Sequence, residues 1–195
     1  GLTHKGFTLN LGTGFPGING DGSERGKSRI IDFQMHMYMR KQVIDLYVQR
    51  YQGFYHNQGT IPPTDAYYSD PNTKLRQFGL GYTRIHNYRK FTFRPANLHD
   101  ELQLKSAGSL LYGFDFVYAQ VKNDQNQILA SYFNVQYPYL ADVTKLHTYN
   151  FGPSIGYAYN WVFAPRFFFM ASASVSAHAS IYQDRTDVAN LAPVN

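Results

Sequence analysis

The chain has 195 residues, a formal net charge of +5 and no cysteine. This length suits one folded domain, and the lack of cysteine excludes a disulfide framework and thiolate chemistry. No apolar run approaches the roughly 20 residues of a transmembrane helix, so a helical membrane protein is excluded too. The basic residues are scattered, with no run longer than Arg40-Lys41 or Arg89-Lys90, and we expect no nucleic-acid partner.

Five strands are predicted in the first half of the chain, because apolar residues occupy every second position there. They cover residues 5–15, 29–39, 43–55, 74–86 and 89–94. Arg50 falls on the apolar side of its strand, which indicates either a snorkelling side chain at a bilayer edge or a bulge that changes the register.

Four further strands are predicted in the second half, at residues 106–121, 127–135, 147–161 and 167–182. The last two are the longest and each has one apolar and one small, polar face. Residues 95–105 are interpreted as an ordered loop or strand extension. Aromatic residues gather at both ends of the two long strands, as interfacial girdles do in outer-membrane barrels. These predicted girdle residues are Tyr149, Phe151, Tyr157, Tyr159, Trp161, Phe167, Phe169 and Tyr182.

Short and long connections alternate along the predicted strands. The short ones are residues 40–42, 87–88, 122–126 and 162–166, and the long ones are 16–28, 56–73, 95–105 and 136–146. Transmembrane barrels have short periplasmic turns and long outer loops. We therefore predict an all-β fold, an antiparallel up-and-down transmembrane β-barrel in the bacterial outer membrane.

The predicted strand number is odd, whereas bacterial single-chain barrels have an even number. With nine strands, the first and last would both rise from the periplasm and could pair only in parallel. We therefore expect residues 1–195 to form a single β-barrel domain that is incomplete at both ends. The whole barrel would have an even number of strands near 12.

Residues 45–55, which read Asp-Leu-Tyr-Val-Gln-Arg-Tyr-Gln-Gly-Phe-Tyr, resemble a segment of a family of uncharacterised proteins. Residues 89–94, 102–109 and 156–159 are similar to later segments of that family, in the same order. The family is a domain of unknown function that is abundant in Bacteroidetes and expected to form outer-membrane β-barrels. The resemblance implies that fold, and it implies no catalytic activity.

Polar side chains on the inward side of the predicted strands form the candidate site. In a small barrel such residues usually make a salt-bridged plug. A catalytic alternative would pair His36 with Asp32 or Asp45 near a serine such as Ser109. The predicted lumen cluster is Asp32, Gln34, His36, Asp45, Gln49, Arg94, Asp115 and His178.

The sequence therefore predicts an outer-membrane barrel with a structural or accessory role, as a subunit of an outer-membrane assembly. We expect no enzymatic activity, no metal and no cofactor. The expected partners are the lipid bilayer, lipopolysaccharide and other proteins of an outer-membrane complex. The alternative is a small-ligand-binding or lipid-modifying barrel that uses its lumen, and the tyrosines could serve as a sugar-binding platform instead of a girdle.

Overall fold

The computed structural model describes residues 1–14, 29–57, 67–98, 103–123, 143–164 and 167–185. These residues form nine strands and one short helix, so the predicted all-β class is confirmed. The elements are β1 (Leu2–His4), β2 (Phe7–Gly14), β3 (Arg29–Tyr38), β4 (Gln42–Asn57), β5 (Tyr67–Ile85), α1 (Arg94–Asn97), β6 (Ala107–Asn123), β7 (Lys145–Ala164), β8 (Phe167–Ser176) and β9 (Ala179–Arg185).

The strands form one antiparallel, up-and-down sheet that is curled as a half-barrel. From β1 to β8, each strand pairs with the next one in the sequence. Strand β9 pairs with β7 and continues the register of β8, since Val175 lies opposite Ile155 and Ile181 opposite Tyr149. The predicted run 167–182 therefore follows one line of the sheet, interrupted only at residues 177–178, and the sheet of the described residues is eight strands wide.

The two faces of the curled sheet differ in polarity. On one face, the side chains of neighbouring strands are mostly apolar, and many of them are exposed; examples are Phe33, Leu46, Leu80 and Phe116 in β3 to β6. The other face is crowded and holds most of the predicted lumen cluster. We call the crowded side the concave face and the apolar side the convex face.

The buried core lies on the concave face, at the end of the sheet where the short turns are. There residues 86–98, which we call the plug segment, fold back against the sheet. Phe91 is fully buried and packs with Val43, Ile85, Leu111 and Ala158. Asn160 Nδ2 donates to the Thr92 carbonyl oxygen at 3.1 Å, and the Asn87 N–H donates to Ser109 Oγ at 2.8 Å.

The prediction of a strand at residues 89–94 is wrong. Residues 86–90 form a turn, and Pro95 in the first turn of α1 favours the helical start that follows. Phe91 and Phe93 make an edge-on contact, with ring centroids 5.0 Å apart. Both rings cover the apolar patch on the concave face. Two apolar residues with one polar residue between them occur in strands and also in a segment such as this one, so their alternation could not distinguish the two.

The first strand differs from its prediction because residues 2–4 and 7–14 form a hairpin. Its turn consists of Lys5 and Gly6, with φ angles of 43° and 89°. Two central residues with positive φ are typical of the tightest hairpin turns. Strand β1 thus becomes the edge of the sheet and runs antiparallel to the β8–β9 strand. The expectation of two parallel edges is therefore wrong.

The connection after β6 also differs. The N–H of Asn123 donates to the Thr144 carbonyl oxygen at 3.1 Å, and Lys122 pairs with Lys145. Strand β6 therefore pairs with β7, and residues 122 and 123 of the predicted short turn belong to β6, whereas residues 124–126 lie outside the described residues. The predicted strand 127–135 lies outside the described residues.

The strands also reach further into the predicted loop at residues 56–73. Strand β4 continues to Asn57 and β5 begins at Tyr67, with a register shift between Gln52 and Phe54. Gly53 sits at this irregularity with a φ of 83°. Arg50, two residues before the shift, keeps the convex parity opposite Ile31 and Arg76.

The connections define two ends of the sheet. Residues 5–6, 39–41, 86–106 and 165–166 join strands at one end, which we call the turn end. Residues 15–28, 58–66 and 124–144 join strands at the other, which we call the loop end. Residues 95–105, predicted to be a long outer connection, belong instead to the turn end.

Candidate functional site

A row of side chains crosses the concave face at one level of the sheet. His36 pairs with Asp45, Asp45 with Gly81, Gly81 with Asp115, and Asp115 with Gly152. The backbone of His178 lies beside Gly152 in the neighbouring strand. We call these residues the His–Asp row: His36, Asp45, Gly81, Asp115, Gly152 and His178.

The row contains two histidine–carboxylate contacts. His36 Nδ1 lies 2.6 Å from Asp45 Oδ1, and His178 Nε2 lies 3.8 Å from Asp115 Oδ2. All four side chains are about one third exposed or more, since their accessible fractions run from 31% to 43%. At this exposure each contact contributes at most about 1 kcal/mol to stability.

Two glycines make this arrangement possible. A Cβ on Gly81 would lie 3.2 Å from Asp115 Oδ1 and 3.8 Å from Asp45 Oδ2, so both carboxylates use the space above this glycine. A Cβ on Gly152 would overlap the Ala177 carbonyl oxygen. The missing side chain therefore lets the β8–β9 strand approach closely and brings His178 towards Asp115.

A second polar group lies on the loop-end side of the row. Gln34 Nε2 donates to both carboxylate oxygens of Asp32 at 3.1 Å, and Gln49 Nε2 donates to Asp32 Oδ1 at 3.1 Å. The carboxylate of Asp32 is thus held by two amides. These three residues form a separate group from the His–Asp row.

A pocket of about 330 Å³ lies between the His–Asp row and the plug segment. Asp45, Asp115 and the serines of β8 give it polar walls. The side chains of Val43, Leu111 and Met170 line it as well, and Phe93 and Asn97 of the plug segment close it towards the turn end. Sequence periodicity did not reveal this pocket, because the plug segment that closes it was predicted to be a strand and a loop.

The structure does not bring His36 and Ser109 together. Ser109 pairs with Ala158, and it lies six residues from Asp115 along β6, which is about 20 Å of strand. Its hydroxyl accepts a hydrogen bond from Asn87 N–H and donates to the Leu110 carbonyl oxygen at 2.9 Å. Ser109 therefore holds the plug segment in place and does not face the His–Asp row.

Arg94 is placed in the plug segment at the first position of α1. Its Cζ lies 3.9 Å from the position of a Cβ on Gly6, so the guanidinium lies near the β1–β2 turn. Among the described residues, no group of three or more His, Cys, Asp or Glu side chains could hold a metal ion.

The predicted girdle residues divide between the two faces. At the turn end, Trp161 lies 4.6 Å from Tyr159 and 5.7 Å from Phe169 between ring centroids, and these rings share the convex face. Tyr149 and Phe151 lie on the convex face opposite Tyr118 and Phe116. Tyr182 pairs with Thr148 and has the concave parity, so it lies apart from the other seven.

None of the helices in the described ranges is long and apolar enough to cross a membrane. Neither the curated proteins nor the solved structures contain a significant match to this chain. A family model described as a domain of unknown function, DUF4421, matches residues 1–192. The chain therefore belongs to the DUF4421 family.

Proposed function

We propose that this protein is a β-barrel of the bacterial outer membrane, with a structural or accessory role and no catalytic activity of its own. The polarity of the two faces supports the proposal most directly. In a water-soluble sheet, apolar side chains would pack inside and polar ones would face outwards. Here the convex face exposes large apolar residues such as Phe114 (48%), Ile155 (58%) and Val175 (75%), while the carboxylates line the concave face.

The height of the apolar band fits a bilayer. On the convex face of β5, Phe78, Leu80 and Tyr82 lie between Arg76 and Arg84. The two arginines are eight residues apart, or about 26 Å along the strand, and about 20 Å along the membrane normal for a strand tilted by about 40°. Outer-membrane barrels have an apolar band about 25 Å tall, and arginine can snorkel to its edge.

The edges of the sheet favour further strands. Within the described residues, β1 and the β8–β9 strand each pair on one side only. An unpaired backbone group in hydrocarbon costs several kcal/mol, so strands in a membrane close into barrels. We propose that additional strands close the barrel at an even total near 12, from the same polypeptide or from a partner subunit.

All connections at the loop end are long, and three of the four at the turn end are short, 86–106 being the exception. The loop end would therefore face the outside, where lipopolysaccharide forms the outer leaflet, and the turn end would face the periplasm. The open edges of the described sheet support a role as a subunit of an outer-membrane assembly. This is the setting that the resemblance to outer-membrane barrels of Bacteroidetes implies.

Membrane fractionation of cells that express the full-length protein tests this proposal. We expect the protein in the outer-membrane fraction, extractable only with detergent, and in a particle larger than one chain on analytical ultracentrifugation. A monomer that stays folded in buffer without detergent would contradict the membrane assignment. A detergent-solubilised monomer would contradict only the role in an assembly.

A second candidate function is small-ligand binding on the concave face, which the 330 Å³ pocket beside the His–Asp row favours. Carboxylates on one side and Val43, Leu111 and Met170 on the other suit a small amphiphile with a cationic head. Calorimetric titration with hexylamine should then show saturable binding that Asp115→Asn weakens. Equal binding of hexanoate, or no effect of Asp115→Asn, would count against this function.

A further inference from the structure

Two turns that lie side by side at the turn end carry a group of basic side chains. The N–H of Ile85 donates to the Lys41 carbonyl oxygen at 3.0 Å, which joins the β3–β4 turn to the end of β5. Arg40 Nη2 donates to the Arg89 carbonyl oxygen at 2.9 Å. The two turns are therefore held together, and their side chains share one surface.

The charges of three cations on this surface act on one tyrosine. Lys41 Nζ lies 5.2 Å from the centre of the Tyr88 ring. The pKa of Tyr88 is lowered, first by the hydrogen bond that Arg89 donates to its oxygen and then by the charges of Arg89, Lys41 and Arg84. We call Lys41, Arg84, Tyr88 and Arg89 the basic cluster.

The positive charge of the basic cluster is not neutralised by the described residues around it. No carboxylate lies within ion-pair distance of Lys41, Arg84 or Arg89 in the described ranges. The acidic residues that follow in the sequence, Asp100 and Glu101, lie outside those ranges. A local excess of one sign of charge attracts ions of the opposite sign.

The cluster lies at the height where a bilayer would place its phosphates. Arg84 pairs with Gln42 and Tyr112 on the convex face, and it follows Tyr82, the last residue of the apolar band on β5. Lys41 and Arg89 belong to the turns just beyond this level. This position beside the apolar band suits a lipid headgroup better than a soluble acidic protein as the partner of the basic cluster.

We propose that the basic cluster binds the phosphate of an anionic phospholipid in the leaflet at the turn end, a site that rests on the proposed membrane function. The guanidinium of Arg89 can donate two parallel hydrogen bonds to a phosphate diester, and Lys41 adds a second positive charge. Arg84 reaches the same headgroup from the edge of the apolar band. The site would hold the lipid at a fixed position beside β4 and β5.

Native mass spectrometry of the full chain in detergent micelles tests the site by counting bound phosphatidylglycerol and, separately, zwitterionic phosphatidylcholine. The double variant Lys41→Gln/Arg89→Gln removes two exposed charges. Each basic residue near an anionic surface strengthens binding roughly fivefold, so we expect about 25-fold weaker phosphatidylglycerol binding and unchanged phosphatidylcholine binding. The preference of the wild-type protein for phosphatidylglycerol over phosphatidylcholine should also fall as the salt concentration rises from about 0.1 M to about 1 M.

The matched control is Arg50→Gln/Arg76→Gln, which removes the same amount of positive charge from exposed positions of β4 and β5 at the opposite edge of the apolar band. This control should leave phosphatidylglycerol binding unchanged, and an equal loss would show general charge attraction and overturn the site. Displacement of the lipid by an equal concentration of inorganic phosphate would overturn the lipid assignment. A protein that folds in micelles but binds both lipids equally refutes this inference alone, whereas failure to require detergent refutes the proposed function.

Discussion

Arginine substitutions at two adjacent positions of β8 should have very different effects, because they place the same charge on opposite faces. Val175 lies on the convex face opposite Ile155 and is 75% exposed. Ile155 is eight residues from His147 and six from Trp161, so this pair lies near the middle of the apolar band. Ser176 lies opposite Ser154 on the concave face and lines the pocket.

Arginine at the midplane of the lipid-facing side costs about 2–4 kcal/mol. Val175→Arg should therefore lower the free energy of folding into vesicles by about that amount. Ser176→Arg should change it by less than about 1 kcal/mol, because the new side chain enters a polar space. Both variants carry the same new residue in the same strand, and the higher strand propensity of the replaced valine accounts for at most about 1 kcal/mol of the difference.

The assay is a urea titration of folding into phospholipid vesicles. Trp161 is the only tryptophan of the chain and lies on the convex face among aromatic rings, so its fluorescence should report insertion. Equal losses for the two variants, or a larger loss for Ser176→Arg, would refute the assignment of the faces.

Three other substitutions probe the plug segment, the close strand approach and the His–Asp row. Phe91→Ala should lower the folding free energy by about 3–5 kcal/mol in the same urea titration, because Phe91 is fully buried. The control Leu104→Ala, at a 74% exposed position, should change it by no more than about 0.5 kcal/mol. Similar losses for the two variants would mean that the plug segment does not pack as described. Gly152→Ala should lower the folding free energy by about 1–3 kcal/mol, because its Cβ would overlap the Ala177 carbonyl oxygen. The control is Gly12→Ala, since a Cβ on Gly12 would lie 3.4 Å from its nearest atom. A Gly12→Ala variant as unstable as Gly152→Ala would contradict this reason. A double-mutant cycle of His36→Ala and Asp45→Ala should give a coupling energy of about 0.2–1 kcal/mol, because the two side chains are 31% and 43% exposed. A coupling energy well above that range would show that this pair is less accessible to water than these exposures indicate.

The sequence predicted the strands well where the two faces differ most in polarity. In β3, Asp32, Gln34 and His36 alternate with apolar residues, and the structure places them on the concave face as this alternation indicates. The same holds for the long strands β6 and β7. A period of two fixes the face of every side chain once the register is set, so the six members of the predicted lumen cluster in β3, β4 and β6 could be assigned to one face from the sequence. The other two lie outside these strands, Arg94 in α1 and His178 between β8 and β9.

The plug segment could not be predicted in this way. Phe91 and Phe93 alternate as in a strand, but they cover the apolar concave residues Ile85 and Leu111, and no local pattern shows such a distant partner. The hairpin at Lys5 was missed because Lys-Gly is a weaker turn pattern than Asn-Gly or Asp-Gly. The contact of His178 with Asp115 depends on the absent side chain of Gly152, which only the assembled sheet reveals.

Spin labels along β6 test the central claim, that the convex face contacts lipid, most directly. The chain has no cysteine, so single cysteines can be introduced at positions 114 to 119 without removing any native one. In vesicles, labels at Phe114, Phe116 and Tyr118 should be accessible to lipid-soluble oxygen, and labels at Asp115, Val117 and Ala119 to a water-soluble nickel complex. An accessibility to nickel that is equal at all six positions, or highest on the convex face, would contradict the account.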